Sequence, residues 1–180
     1  YNLAQKQYDH IVQNIDPLDG TALVALGTIY FTSATQKAID QAKAERYLQY
    51  ATNNFERALK NDKYNMYAAL SLGAVMAQRG YLDDARDIFI KVQESSSIPS
   101  VIEGNRIGTG IPETWLNLAH VWMCQKQYQN AAKLYQKCLS NFYDSCHVPT
   151  LHCLAAACFE AKKLPECKTA LQNAIHISPN

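Results

Sequence analysis

The chain of 180 residues has few helix-breaking residues and no excess of charge of one sign. It contains seven glycines and six prolines, which suits a nearly all-helical chain. Its 17 lysines and arginines stand against 16 aspartates and glutamates. The basic surface that bulk nucleic-acid or membrane-surface binding requires is therefore missing. No apolar run approaches the roughly 18 residues that span a bilayer. We expect neither nucleic acid nor a membrane as a direct partner.

The chain also lacks a recognisable set of catalytic or metal-binding residues. It shows no nucleophile–base pair and no paired carboxylates in an apolar setting, so we predict no enzyme, no catalytic residue and no cofactor. The best metal candidate combines Cys146-His147 with His152-Cys153. Their spacing does not match a zinc pattern, and neighbouring helical residues such as His152 and Cys153 point about 100° apart. We therefore predict no metal site.

The six cysteines all lie in the C-terminal third of the sequence. Because the chain shows no signal-peptide pattern, we expect a reducing compartment and free thiols. The start at Tyr1, without a methionine, indicates a fragment of a longer protein.

The segment that begins at Trp115 has the spacing of one tetratricopeptide repeat (TPR). A Leu-small pair follows the tryptophan in the first helix, and Ala131, Tyr135 and Cys138 give a small, an aromatic and a small residue in the second. In such a repeat, large side chains of one helix fill the notches that small residues leave in its neighbour.

The pattern recurs along the chain: the first small residue of the second helix returns at 34 residues, with 12 extra residues in one interval and two in another. The small residue of each first helix is Gly27, Gly73, Ala119 and Ala155. In the second helices the first small residue is Ala51, Ala85, Ala131 and Cys167, the large residue is Phe55, Phe89, Tyr135 and Leu171, and the second small position holds Ala58, Val92, Cys138 and Ala174.

Four copies of this repeat predict an all-α fold, namely an α-solenoid of TPR helix-turn-helix units with a right-handed superhelix. We predict a single array with these divisions: 1–17, second helix of a preceding repeat; 18–63, a repeat with an extended second helix; 64–97, a repeat; 98–111, an inserted loop; 112–145 and 146–180, two further repeats.

Local signals mark the helix ends. Asp19 and Asn65 are predicted N-caps, Gly80 closes a first helix, and Pro112 begins another. The helix-forming run 36–46 predicts a second helix that is lengthened and reaches about Lys60. The segment 95–111 is predicted as a long loop. Its glycines do not form a phosphate loop, because no strand precedes them and no Gly-Lys-Ser/Thr follows.

The first helix of each pair is expected to line the concave surface of the array. That lining is apolar with a few neutral polar groups, which suits an amphipathic helix or an extended apolar peptide. For each residue the simpler alternative is packing between helices. The carboxylate clamp of co-chaperone repeats is absent. The predicted protein-binding groove consists of Val24, Thr28, Phe31, Tyr67, Leu70, Ser71, Ala74, Asn117, His120, Met123, His152, Ala156 and Phe159.

Several stretches are more specific than a generic repeat. They are Asp16-Pro17-Leu18-Asp19 with 22–27, Gly73-Ala74-Val75 with 80–81 and 85–89, 115–120 with 125–128, and 163–168. Together they resemble the large TPR subunit of the RNA polymerase II-associated PAF complex, over nearly the whole chain except 32–46 and 95–111. The resemblance implies a nuclear, non-catalytic scaffold that binds the other PAF subunits and RNA polymerase II and supports transcription elongation and histone modification.

Two other functions remain open from the sequence. One is a peptide-binding TPR adaptor of a different assembly, such as the auxiliary subunit of a transferase. The other is a redox- or metal-responsive module that uses the C-terminal cysteines.

Overall fold

A computed structural model describes residues 2–36, 39–96 and 110–179. Within these ranges the chain forms helices and no strand, so the predicted all-α class is confirmed. The helices are α1 Asn2–His10, α2 Gly20–Ala34, α3 Gln41–Asn61, α4 Met66–Gln78, α5 Leu82–Ser96, α6 Pro112–Cys124, α7 Tyr128–Phe142, α8 Val148–Glu160 and α9 Leu164–Ile177. One π-helical turn, Ile11–Ile15, directly follows α1.

The chain divides into two compact units, Tyr1–Ile88 and Phe89–Asn180. In the N-terminal unit, α2 packs against α1, α3 and α4, and α3 also packs against α4. In the C-terminal unit, α7 packs against both α6 and α8, and α8 packs against α9. Each unit is thus built from helix pairs whose second helix also contacts the first helix of the next pair.

The predicted caps and turns form. Asp19 Oδ1 accepts hydrogen bonds from the N–H groups of Thr21 and Ala22 at 2.8 and 3.0 Å, and Asn65 Oδ1 accepts one from Ala68 N–H at 3.0 Å. Gly80 has φ +88° at the end of α4, a conformation that glycine adopts without steric penalty.

The small residues of the repeat pattern lie at close helix contacts in the N-terminal unit. Gly27 is buried beneath the ring of Phe55, which is fully buried and packs with Ala34, Leu48, Ala51 and Val75. A second cluster joins Val12, Ala22, Leu23, Leu26, Ala58 and Ala68. Large side chains therefore pack over small ones, as the repeat pattern predicts.

In the last helix pair the predicted packing is wrong at Leu171. This side chain is 41% exposed, whereas the large residues at the equivalent positions, Phe55, Phe89 and Tyr135, are at most 1% exposed. Among the described elements, α7 packs against helices on two sides, but α9 packs only against α8. As a result only one stripe of α9, which includes Ala170 and Ala174, is buried.

The lengthened second helix begins later than predicted. α3 has 21 residues, but Gln36, Ile39 and Asp40 of the predicted run are not helical. Asp40 Oδ2 accepts a hydrogen bond from Lys43 N–H at 3.3 Å and caps α3 at Gln41. The N-cap therefore decides where this helix begins, despite strong helix formers before it.

The predicted loop 95–111 falls mostly on residues 97–109, which lie outside the described ranges. Ser95 and Ser96 still belong to α5, so the helix extends two residues further than predicted.

Candidate protein-binding faces

The predicted groove residues of α2 contribute partly to the core. Val24 and Phe31 are half-buried; Val24 packs against both clusters of the N-terminal unit and Phe31 against one. Thr28 is exposed, and its hydroxyl donates a hydrogen bond to the Val24 carbonyl at 2.8 Å. Within α2, Thr28 is therefore the predicted groove residue with the most surface available to a partner.

The predicted groove residues of α4 differ widely in exposure. Tyr67 is 64% exposed and offers a large aromatic surface. Ser71 and Ala74 are half-buried. Leu70 is only 8% exposed, so a charge placed there would disturb packing before it disturbed binding. A charged substitution at Leu70 is thus unsuitable as a test of binding in the groove.

In the C-terminal unit, α6 carries Asn117, His120 and Met123. Asn117 and Met123 are half-buried, and His120 is exposed overall. One edge of the His120 ring is tied to α7, since His120 Nδ1 lies 2.6 Å from the hydroxyl of Tyr135, whose side chain is fully buried.

Burial of the ring lowers the pKa of His120 from its ordinary value. Burial also raises the pKa of Tyr135, which is additionally raised by the nearby Cys153 and Cys124. At neutral pH the imidazole and the phenol are therefore both uncharged, and the tautomer of the imidazole decides which of them donates the hydrogen bond. This pair is a fixed structural hydrogen bond between α6 and α7.

On α8 every predicted groove residue is accessible to solvent. His152, Ala156 and Phe159 are all exposed, and Phe159 is 61% exposed. Phe159 therefore leaves most of its side chain in solvent, whereas Leu151, Leu154 and Ala157 of the same helix are buried.

A groove that the sequence reasoning missed lies on the other side of the C-terminal unit. It is formed by α7 and α9 as walls and by α8 as part of its floor, with a volume of about 690 Å³. The floor includes Leu151, Leu154 and Cys158, and burial raises the pKa of the Cys158 thiol, so the floor is uncharged. The walls carry Lys133, Lys137, Lys163 and Glu166.

One sequence signal for this groove was available. Lys133 and Lys137 are four residues apart on α7, and α7 contains no acidic residue. Such residues lie on one face of a helix.

The described residues contain no group of three or more His, Cys, Asp or Glu side chains that could hold a metal ion. All six cysteines are free thiols, with Cys138 and Cys158 buried. No helix among the described residues combines the length and hydropathy of a membrane span.

The architecture places the chain among tetratricopeptide-repeat proteins. The solved structure of MamA residues 41 to the end from Desulfovibrio magneticus matches 99% of this chain and 94% of its own, with a TM-score of 0.67 at 12% identity. TTC0263, described as a thermophilic TPR protein of Thermus thermophilus, matches 88% of this chain and 74% of its own, with a TM-score of 0.69 at 18% identity. At these identities the likeness concerns the fold alone, and it confirms the predicted TPR solenoid.

Sequence relatives narrow the class further. The Arabidopsis thaliana protein named "Protein CTR9 homolog" is 33% identical over 166 residues, which is 92% of this chain and 15% of the relative. The Caenorhabditis elegans "RNA polymerase-associated protein CTR9" is 32% identical over 178 residues, 96% of this chain and 14% of the relative. The suspected resemblance is confirmed: this chain is similar to a segment of the CTR9 proteins. It spans about one seventh of their length. No family model matches the chain.

Proposed function

We propose that this chain is a non-catalytic TPR scaffold segment that binds proteins of the transcription elongation machinery in the nucleus. Its partners would be RNA polymerase II and the other PAF subunits. The similarity to a CTR9 named RNA polymerase-associated, over 96% of this chain, supports the proposal. The balanced charge also favours protein over nucleic-acid partners.

The observation that carries protein binding is the pair of exposed aromatic side chains on predicted lining helices. Phe159 on α8 and Tyr67 on α4 are 61% and 64% exposed. Aromatic side chains are enriched among the residues that dominate binding energy at protein interfaces. Each would bury much of its ring against a partner, with about 25 cal/mol gained per Å² of apolar surface removed from water.

The remaining predicted lining residues would extend the contact around these aromatics. In the N-terminal unit Thr28 adds an exposed polar group on α2, and in the C-terminal unit His152 and Ala156 are exposed on α8. The repeat boundaries and the set of lining residues remain predictions. Within that set, Leu70 would support the exposed residues from the packed layer beneath them.

The test is recovery of RNA polymerase II and the other PAF subunits with full-length protein carrying Phe159→Glu. Because Phe159 is exposed, the fold should survive, whereas a carboxylate placed in an apolar interface weakens binding. The matched control is Ile175→Glu on α9, where the side chain is 63% exposed on the second helix of the same pair. For the N-terminal unit, Tyr67→Glu is compared with Tyr64→Glu, since Tyr64 is 77% exposed just before α4.

Reduced recovery with Phe159→Glu or Tyr67→Glu, and unchanged recovery with both controls, is the expected result. Equal recovery with all four folded variants would show that these faces do not bind the partners. The same substitutions could instead reduce the recovery of proteins from a different assembly. That result would favour the adaptor function.

A further inference from the structure

We propose that the groove between α7 and α9 binds an acidic amphipathic helix of a partner protein. The proposal concerns a surface distinct from the predicted lining of the first helices, and it does not require that lining to bind anything. It rests on the shape of the groove, its apolar floor and an excess of lysine on its walls.

The shape fits one helix. α7 contributes wall residues from Gln129 to Leu139, a length of about 15 Å or three helical turns. α7 and α9 both pack on α8, which separates the two walls and forms the floor between them. The groove has a volume of about 690 Å³.

The apolar floor favours a helix over an extended peptide. Leu151, Leu154 and Cys158 close the base of the groove and are at most 6% exposed. The two leucine side chains offer no hydrogen-bonding partner for a peptide backbone, and the thiol offers only a weak one. A helix pairs its own backbone groups, whereas an extended strand would leave some of them buried and unpaired. Apolar side chains one helical turn apart would enter between the walls.

The walls favour an acidic occupant. Lys133 and Lys137 lie one turn apart on α7, Lys163 lies opposite at the start of α9, and Glu166 is the acidic residue among the lining side chains. The salt bridges formed within the described ranges involve Arg79 and Arg86 rather than these lysines. Since the whole chain is nearly neutral, this excess is local, and it would steer an acidic segment to the groove.

The comparable groove of the N-terminal unit lacks this excess. A smaller depression of about 250 Å³ is lined by residues of α1, the following π-helical turn, α2 and α3, with Asp9 and Arg57 among them. One charge of each sign and the smaller volume give it no preference for an acidic helix. Of these two depressions, the α7–α9 groove is the one with the larger volume and the excess of lysine.

Site-specific photocrosslinking in the full-length protein within its native complex tests this proposal. A photoreactive amino acid replaces Gln136, which lines the groove, or Gln172, which is exposed on α9 outside it. The expected adduct from position 136 contains a protein segment with apolar residues at helical spacing flanked by Asp or Glu, and position 172 gives no such adduct. A nucleic-acid adduct, a basic segment, or the same yield at both positions would overturn the proposal.

Charge reversal supplies the second measurement. Lys133→Glu with Lys137→Glu should reduce the adduct at least about tenfold, because two attractions become repulsions. Lys168→Glu, on α9 but outside the groove, is the matched control and should leave the yield within about twofold. Reversing the acidic residues of the captured segment to lysine should restore the adduct to the doubly reversed protein. Two results would contradict recognition by charge. One is an unchanged adduct yield for the doubly reversed protein, and the other is a lost yield that the compensating reversal in the captured segment does not restore.

Discussion

Replacing Gly27 by alanine should destabilise the N-terminal unit, although alanine is the better helix former. A Cβ at Gly27 would lie 2.7 Å from Phe55 Cζ and 2.8 Å from Cδ1. Atoms in ordinary contact are about 3.5–4.0 Å apart, so the ring must move by about an ångström. Phe55 is fully buried against Leu48, Ala51 and Val75, which leaves it little room to move.

The two opposing effects have known magnitudes. Glycine to alanine inside a helix gains about 1 kcal/mol from backbone entropy and helix propensity. Overpacking a tight core costs about 1–3 kcal/mol, and the upper part of that range applies because the clash is with a ring that cannot rotate away. We therefore expect a net loss of about 1–2 kcal/mol. For a chain of this size the loss corresponds to a fall in Tm of roughly 2–8 °C.

Urea and thermal unfolding followed by circular dichroism measure this change. The matched control is Gly20→Ala at the start of α2, where an added Cβ meets Asn65 Nδ2 at an ordinary 3.5 Å, and stability should be unchanged or higher. In a Phe55→Leu background, Gly27→Ala should destabilise less, since the clash is removed. An unchanged or raised midpoint for Gly27→Ala in the parent protein would refute the packing of Phe55 over Gly27.

Three further substitutions test the C-terminal unit by the same unfolding measurements. Ala119→Leu should cost about 1–3 kcal/mol, because Ala119 is fully buried and the added side chain overpacks its contact; an unchanged midpoint would contradict the repeat register. Lys162→Gly should raise stability by about 0.5 kcal/mol, because Lys162 has φ +59°, a conformation that glycine adopts more readily; a loss of stability would mean that the lysine side chain matters more than its backbone. His120→Gln should flatten the pH dependence of stability. The lowered pKa of His120 makes the unfolded state bind more protons, so the parent loses stability as pH falls through about 6.5 toward the folded pKa. The slope of stability against pH stays below the limit for one titrating group, about 1.4 kcal/mol per pH unit, because solvent reaches the ring. Equal slopes in the parent and the variant would contradict this role of His120.

The repeat pattern predicted much of the helical packing because that packing depends on residue size at fixed spacing. Gly27 below Phe55 and the burial of Ala119 follow from the alternation of small and large residues. Gly80, Lys126 and Lys162 also share one turn position with positive φ, but only the glycine signals it in the sequence. The two lysines adopt that conformation because the helices on either side require it.

The candidate surfaces were harder to predict because exposure depends on contacts between helices. Helical spacing groups Tyr67 and Leu70 on one face, yet one is 64% exposed and the other 8%. Leu171 occupies a position that is buried in α7 but open in α9, because α7 packs on two neighbours. The α7–α9 groove was missed because its floor and its two walls come from separate helices that only the fold brings together.

The functional proposal depends on what the intact protein binds in the cell. Full-length protein, tagged at its natural level of expression, can be purified from nuclei at near-physiological salt and its bound proteins identified by mass spectrometry. We expect RNA polymerase II and the other PAF subunits in amounts comparable with the tagged protein. Recovery of a stable set of partners that contains neither would contradict the proposal.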